Sequence, residues 1–176
     1  MTDPLSNQEL LAQDARASAA KIVQELAQAL TQRGWMLATA ESCTGGLIAG
    51  ACTDLAGSSD WFERGFVSYS NAAKTELLGV PAELIAQHGA VSEPVARAMA
   101  HGAVAHARAQ VALAVTGVAG PGGGSADKPV GTVWFGWQLP GRTETECRHF
   151  DGDRAAVRAQ TVAHALAGLL QRIAAT

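Results

Sequence analysis

One stretch of this sequence decides the fold: Ala38-Thr39-Ala40-Glu41-Ser42-Cys43-Thr44-Gly45-Gly46. The residues around its start, Trp35–Ala40, form a short apolar run, which predicts a buried strand. The residues after it, Leu47–Leu55, include the helix-forming residues Leu, Ile and Ala. The stretch therefore predicts a strand that passes into a helix through a turn of Ser, Thr and two glycines.

Such a turn has two interpretations. A helix start leaves backbone N–H groups unpaired, and with the helix dipole these donors favour an anion. The anion would be a phosphate or the oxyanion that forms when a hydroxyl attacks a carbonyl. Alternatively, Ser42 or Thr44 is only the N-cap of an ordinary helix, and this stretch by itself favours that second interpretation.

Composition limits the class of protein. The chain has 176 residues, of which 48% are hydrophobic and 16% charged, so we expect a single globular domain spanning residues 1–176. A net charge of -3 without a cluster of Lys and Arg argues against a nucleic-acid partner. Three cysteines without metal-ligand spacing predict free thiols, a reducing compartment and no metal site.

The same properties predict a cytoplasmic protein. No uncharged apolar run is long enough to span a bilayer, so we expect no membrane partner. The first residues, Met1-Thr2-Asp3-Pro4, lack the basic and then apolar pattern of a signal peptide.

Periodicity and turn residues predict an α/β fold. Residues 1–34 predict an N-terminal helix that packs on the core, with a capping box at Ser6-Asn7-Gln8-Glu9 and Gly34 after its end. The predicted helix N-caps farther along are Asn71, Ser92 and either Asp151 or Asp153, and Pro81 is predicted as the first residue of a helix. The predicted strands are Trp35–Ala40, Gly65–Tyr69, Val111–Val115, Val130–Gln138 and Thr143–Phe150.

This order of elements predicts one three-layer α/β/α domain. The alternation of strands and helices up to Val115 indicates βαβ crossovers, and therefore parallel strands. The last two strands are joined by Pro140-Gly141, so they must form an antiparallel hairpin, which a final helix follows. The sheet is therefore expected to be mixed and mainly parallel, with a C-terminal β-hairpin plus helix.

Polar residues follow three of the predicted strands. Ligands of such sheets bind beyond the carboxyl ends of the parallel strands, so these residues are expected to converge. A serine with a nearby lysine is a known pairing of nucleophile and base. The three strand ends are Glu41-Ser42-Cys43-Thr44, then Tyr69-Ser70-Asn71 with Lys74 one turn later, and Thr116-Gly117.

Six ordered motifs resemble a known family. From about Leu37 to Arg158 the sequence is similar to the CinA C-terminal domain family, the nicotinamide-mononucleotide deamidases. The motifs are Glu41-Ser42-Cys43-Thr44-Gly45-Gly46; Tyr69-Ser70-Asn71-x-x-Lys74 with Leu78-Gly79-Val80; His88-Gly89-Ala90-Val91-Ser92; Thr116-Gly117-x-Ala119-Gly120-Pro121; Lys128-Pro129-Val130-Gly131-Thr132; and Gly152-Asp153-Arg154.

The resemblance implies hydrolysis of the carboxamide of nicotinamide mononucleotide to nicotinate mononucleotide and ammonia, with no metal and no organic cofactor. It implies Ser42 as the nucleophile, Lys74 as its base and Tyr69 as a third catalytic group. The substrate-binding residues that it implies are Thr44, Gly45, Gly46, Asn71, Thr116, Gly117, Gly120 and Arg154.

Several alternatives stay open. Cys43 at a helix start is either a reactive thiol or a small buried filler. Tyr69 and Thr116 each have a structural explanation beside the functional one. The whole site has a non-catalytic alternative, a regulatory module that binds a nucleotide or phosphate. The oligomeric state is likewise open, with a homo-oligomer among the alternatives.

Overall fold

The computed structural model describes residues 5–176. The segment Met1–Pro4, on which the expectation of no signal peptide depends, lies outside the described residues. Within residues 5–176, the helices are too short or too polar for any of them to cross a membrane.

Six helices and five strands make up the described chain. The first helix has the predicted capping box at Ser6 and Glu9, and Gly34 ends it in the left-handed conformation. The elements are α1 (Asn7–Arg33), β1 (Leu37–Glu41), α2 (Leu47–Thr53), β2 (Phe62–Val67), α3 (Asn71–Leu78), α4 (Ala82–His88), α5 (Glu93–Ala105), β3 (Val111–Gly117), β4 (Thr132–Leu139), β5 (Arg142–His149) and α6 (Arg154–Ala174), with a 3-10 turn at Ser58–Asp60.

The five strands form one mixed sheet in the order β2-β1-β3-β4-β5. Strand β1 pairs in parallel with β2 on one side and with β3 on the other. Strand β4 is antiparallel to both β3 and β5, and β4 and β5 form the predicted hairpin. The α/β fold with a mixed sheet and a C-terminal hairpin plus helix is therefore confirmed.

Helices cover both faces of the sheet, and side-chain size distinguishes the two faces. On β3, Val111, Leu113 and Val115 pack into a core with helices α1, α2 and α6. The intervening residues Ala112 and Ala114 face α3, α4 and α5. Alternation with period two produces this division, and the small alanine side chains allow α5 to lie close to the sheet.

Two predicted helix starts are wrong by one residue. Ser70, and not Asn71, caps α3, because the Ser70 hydroxyl accepts the N–H of Ala73 at 3.0 Å while Asn71 is already helical. Pro81 precedes α4 as its N-cap and does not form its first helical residue. The predicted Asp153 cap of α6 is confirmed by its hydrogen bond from the N–H of Ala156.

The second strand was also predicted too late in the chain. It spans Phe62–Val67, and the predicted strand residues Ser68 and Tyr69 lie in the loop that leads to α3. This difference matters for function, because that loop carries backbone carbonyls that contact the lysine described below.

Candidate active site

The three polar strand ends do converge. A cavity of about 220 Å³ opens at the carboxyl ends of β1 and β3. Its walls include Ser42, Tyr69, Asn71, Lys74, Thr116 and Arg154. Topology alone predicted this meeting, because parallel strands end at the same edge of a sheet.

The serine and the lysine are in direct contact. The Nζ atom of Lys74 lies 3.0 Å from the Oγ atom of Ser42. Lys74 is 1% exposed and Ser42 is 9% exposed, so the contact is screened from solvent. Two backbone carbonyls complete the surroundings of Nζ, that of Ser68 at 2.8 Å and that of Tyr69 at 3.4 Å.

The surroundings of Nζ carry no charge. Nζ is within donor distance of three acceptors, the two carbonyls and the Ser42 hydroxyl oxygen. When the amine is neutral, its two protons serve the carbonyls, which can only accept, and its lone pair faces the Ser42 hydroxyl. In the described part of the chain, Lys74 has no carboxylate within ion-pair distance. Burial lowers the pKa of Lys74 below that of a free lysine, because the charged form loses its hydration.

Burial has the opposite effect on the pKa of the neighbouring thiol, that of Cys43. Cys43 is buried, and burial raises the pKa of its thiol to about 11. A thiol with this pKa is almost wholly protonated near neutral pH and is therefore a poor nucleophile. Of the two interpretations of Cys43, the structure favours the small buried filler.

The carboxylate of Glu41 lies against the start of α2. It is fully buried, and its Oε2 atom accepts the Thr44 hydroxyl at 2.7 Å and the N–H groups of Gly46 and Ile48 at 3.0 Å each. Its Oε1 atom accepts the N–H of Ala49 at 2.8 Å. Glu41 therefore supplies the anion that a helix N-terminus favours.

The prediction of unpaired backbone N–H groups at this helix start is therefore wrong for Gly46, Ile48 and Ala49. A strand residue, Glu41, already occupies them. Gly45 has a positive φ of 60° and donates its N–H to the Ser42 carbonyl, which closes the turn. A contact of Thr44, Gly45 or Gly46 with a substrate stays a prediction.

Two amides of the turn make no hydrogen bond in the described chain. The N–H groups of Cys43 and Thr44 have no acceptor within residues 5–176. Both follow directly after Ser42 in the chain, where an oxyanion formed on its substrate would need donors.

Tyr69 and Arg154 form a pair at the rim of the cavity. The Tyr69 ring is exposed, and its hydroxyl lies 3.2 Å from the Nη2 atom of Arg154. The Nη1 atom of Arg154 donates to the carbonyl of Gly120 at 2.9 Å. Tyr69 thus contacts Lys74 through its backbone, and its phenol belongs to the rim.

Thr116, Gly117 and Asn71 also lie in the cavity wall. The Thr116 hydroxyl donates to the carbonyl of Ala90 at 2.8 Å, which leaves its oxygen as an acceptor. Gly117 permits a close approach, because a Cβ atom there would lie 2.8 Å from the carbonyl oxygen of Thr132.

A second cavity of about 480 Å³ adjoins the first. The two share Ala119 and Arg154, and the second is also lined by Gly120, Gly152 and Arg158. Its cationic side chains favour an anionic group.

Sequence reasoning missed two residues of this site, Glu41 and Arg158. Arg158 donates to the carbonyls of Cys43 and Thr44 from helix α6. An acidic residue at the end of a buried strand was a usable signal for Glu41. For Arg158 the only signal was its position four residues after Arg154, on the same face of a helix.

The described residues offer no group of three or more His, Cys, Asp or Glu side chains that could hold a metal. All three cysteines are free thiols, with Cys43 and Cys52 buried and Cys147 exposed.

The fold and the site define an α/β domain that presents a serine and a buried lysine at the ends of its parallel strands. The sequence profile of the CinA C-terminal domain matches residues 19–173. The chain therefore belongs to the CinA C-terminal domain family, and the resemblance found in the sequence is confirmed.

Similar proteins agree with this membership. The chain is 55% identical over 155 residues to the nicotinamide-nucleotide amidohydrolase PncC of Escherichia coli K12, covering 86% of this chain and 93% of that protein. It is 62% identical over 133 residues to the protein of the same name from Pseudomonas putida, covering 76% and 83%. Among solved structures, the competence/damage inducible protein CihA from Agrobacterium tumefaciens is 47% identical, covers 88% of this chain and 94% of its own, and has a TM-score of 0.85.

The contacts of Glu41 lead to a stability prediction. Glu41→Gln should lower the free energy of unfolding by about 2–3 kcal/mol, because an amide has one acceptor oxygen and its NH2 group must face a buried donor. Urea unfolding followed by circular dichroism measures the difference. The matched control is Glu76→Gln on the exposed side of α3, which should leave stability nearly unchanged. Equal stabilities of the two variants would contradict the structural role of Glu41.

Proposed function

We propose that this protein hydrolyses the carboxamide of nicotinamide mononucleotide, giving nicotinate mononucleotide and ammonia. The observation that carries the proposal is the buried Lys74 amine, 3.0 Å from the Ser42 hydroxyl. Further support comes from two relatives, 55% and 62% identical, that are named nicotinamide-nucleotide amidohydrolase.

In the proposed reaction, the Oγ atom of Ser42 attacks the carboxamide carbon and its proton passes to the Nζ atom of Lys74. The tetrahedral oxyanion collapses and breaks the C–N bond, and the lysine returns the proton to the leaving nitrogen, which departs as ammonia. A water molecule then attacks the acyl ester, Lys74 takes its proton, and the Ser42 hydroxyl is regenerated with release of the nicotinate product.

The proposed oxyanion donors are the backbone N–H groups of Cys43 and Thr44. They are the amides of the turn without an acceptor in the described chain, and they directly follow the nucleophile. The expected contribution of one such donor is about 10²–10³ in kcat.

The size of the two cavities supports a mononucleotide as substrate. The cavity around Ser42 measures about 220 Å³, below the range of about 300–1,000 Å³ that is usual for ligand pockets. We therefore assign the pyridine carboxamide to this cavity and the ribose phosphate to the adjoining one, where Arg154 would bind the phosphate.

The alternative of a binding module without catalysis has lost its main support. It used the N–H donors at the start of α2 together with the glycine-rich loop, and Glu41 occupies the donors of Gly46, Ile48 and Ala49. Phosphate binding also gives no reason to bury an amine beside a hydroxyl.

We further propose that the enzyme acts in the cytoplasm on this small molecule, without a nucleic-acid or membrane partner. The net charge of -3 gives no attraction to a polyanion. Two buried free thiols and one exposed free thiol are typical of a reducing compartment.

The first prediction from the proposed function concerns the nucleophile. Ser42→Ala should remove nearly all ammonia release from nicotinamide mononucleotide, because no other buried hydroxyl contacts the Lys74 amine in the described chain. Cys43→Ala should keep most of the activity, because a thiol with a pKa of about 11 stays protonated. The measurement is a coupled ammonia assay, and equal loss of activity in the two variants would refute the assignment.

The second prediction concerns the base. The neutral amine is the active form, so kcat/KM should rise with pH along a limb centred below the pKa of about 10.4 of a free lysine. Lys74→Arg should lose about 10²-fold or more in kcat and keep substrate binding, since arginine retains its proton. A variant within a few-fold of wild type would mean that Lys74 serves only as a charge.

The third prediction concerns the phosphate. Nicotinamide riboside should have a much lower kcat/KM than the mononucleotide, because remote binding energy positions the reacting amide. Arg154→Gln should reduce this preference, because it should lower kcat/KM for the mononucleotide more than for the riboside. If the wild-type protein has equal kcat/KM for the two substrates, phosphate recognition has no part in the reaction.

A further inference from the structure

The guanidinium of Arg158 holds the backbone that follows the nucleophile. Its Nε atom donates to the carbonyl of Cys43 at 3.1 Å, and its Nη2 atom donates to the carbonyl of Thr44 at 2.8 Å. The side chain is half-buried, and no carboxylate lies within ion-pair distance of it in the described part of the chain. Its charge is therefore directed at two neighbouring peptide groups of one turn.

Peptide planarity converts these two contacts into a constraint on amide direction. In a trans peptide the C=O and N–H bonds point in opposite directions. Because the Cys43 carbonyl faces Arg158, the Thr44 N–H of the same peptide group faces away from Arg158. The next peptide group is fixed at both ends, by Arg158 at the Thr44 carbonyl and by the Ser42 carbonyl at the Gly45 N–H.

The turn is thus fixed by two ions of opposite sign. Glu41 accepts the donors of the turn and of the helix start, including the N–H of Gly46. Arg158 donates to the acceptors of the same turn. The N–H of Thr44, unpaired within residues 5–176, shares its peptide group with the Cys43 carbonyl, which Arg158 holds directly. The N–H of Cys43, likewise unpaired there, shares its peptide group with the Ser42 carbonyl, which Arg158 holds through the Thr44–Gly45 peptide group.

We propose that Arg158 is a positioning residue for the amide hydrolysis, which holds the N–H groups of Cys43 and Thr44 in place to receive the oxyanion formed at Ser42. This inference rests on the proposed function. It goes beyond that function in giving Arg158, which is 116 residues from the nucleophile in sequence (158 minus 42), a role that acts through the backbone and needs no contact with substrate.

A competing role for Arg158 makes a different kinetic prediction. Arg158 also lines the cavity assigned to the ribose phosphate, next to Arg154. A phosphate ligand would change KM, whereas a residue that aligns oxyanion donors would change kcat, because those donors act mainly in the transition state.

The test compares Arg158→Met and Arg158→Lys with Arg16→Met. Arg16 lies on α1 and shares a separate cavity with Arg158, so its substitution removes a nearby positive charge without touching the turn. Each variant is assayed for kcat and KM with nicotinamide mononucleotide. Each is also assayed for the rate at which a fluorophosphonate probe phosphonylates Ser42. In this step the Oγ–P bond forms, the P–F bond breaks with departure of fluoride, and the hydroxyl proton passes to Lys74.

The phosphonylation assay tests the role of Arg158 independently of the proposed function. The P=O oxygen of the probe needs the same two amides as the oxyanion, whatever the natural substrate is. If wild type releases no ammonia from the mononucleotide, the proposed function fails, and the phosphonylation rates alone decide the role of Arg158.

The expected result is a fall in kcat on the order of 10²-fold for Arg158→Met with KM nearly unchanged, and a parallel fall in the phosphonylation rate. Arg158→Lys should recover part of both rates, because an ammonium can replace one of the two hydrogen bonds. If Arg158→Met does not fold, the kcat and the phosphonylation rate of Arg158→Lys decide whether Arg158 positions the donors. Arg16→Met should match wild type.

Two results would overturn the proposal. One is a kcat within about three-fold of wild type in the folded Arg158 variants, with a raised KM, which would make Arg158 a substrate ligand. The other is an unchanged phosphonylation rate, which would show that the donors keep their positions without the guanidinium.

Discussion

The amine of Lys74 lies inside the protein, and the rest of the site depends on this placement. A buried ammonium loses its hydration and needs a carboxylate partner, but the structure surrounds Nζ with two backbone carbonyls and one hydroxyl. This set contains no negative charge and so favours the neutral amine, whose lone pair then faces Ser42. The loop after β2 supplies the two carbonyls, so the short strand and the capped helix α3 together place the proposed base.

The proposed nucleophile needs a second kind of support, because Ser42 lies in a turn and not within a strand or helix. A turn has several backbone conformations of similar energy unless its donors and acceptors are fixed. Here Glu41 takes the donors and Arg158 takes the acceptors, one from the end of β1 and one from the last helix. The long helix α6 thereby connects the hydrophobic core to the backbone around Ser42.

Much of the fold follows from patterns that the sequence displays locally. The β-branched run Val111–Val115, the alternation before it and Pro140-Gly141 after it were enough to predict a mixed sheet between helices. The same topology explains why Ser42, Lys74 and Thr116 could be grouped from the sequence alone, since each lies at or shortly after the carboxyl end of a parallel strand. Their contact distance, however, depends on where β2 ends, and the predicted end was two residues too late (69 minus 67).

The occupancy of hydrogen-bond donors could not be predicted in the same way. A helix start shows that donors exist, and only the three-dimensional structure shows which acceptor reaches them, as Glu41 does here. Arg158 is a stronger example, because nothing local to a residue on α6 indicates that it contacts carbonyls more than a hundred residues away. Contacts between residues so far apart in sequence depend on tertiary packing, which hydrophobic periodicity and secondary-structure propensity do not describe.

The central claim, that Lys74 is neutral when it meets Ser42, is tested most directly by observing its ammonium group. In protein labelled with ¹⁵N-lysine, the Nζ resonance of Lys74, assigned by its loss in Lys74→Arg, can be followed by NMR as a function of pH. The account predicts a midpoint below the pKa of about 10.4 of a free lysine. A midpoint at or above that value would contradict it, because the amine would then carry a proton at neutral pH and could not accept one from Ser42.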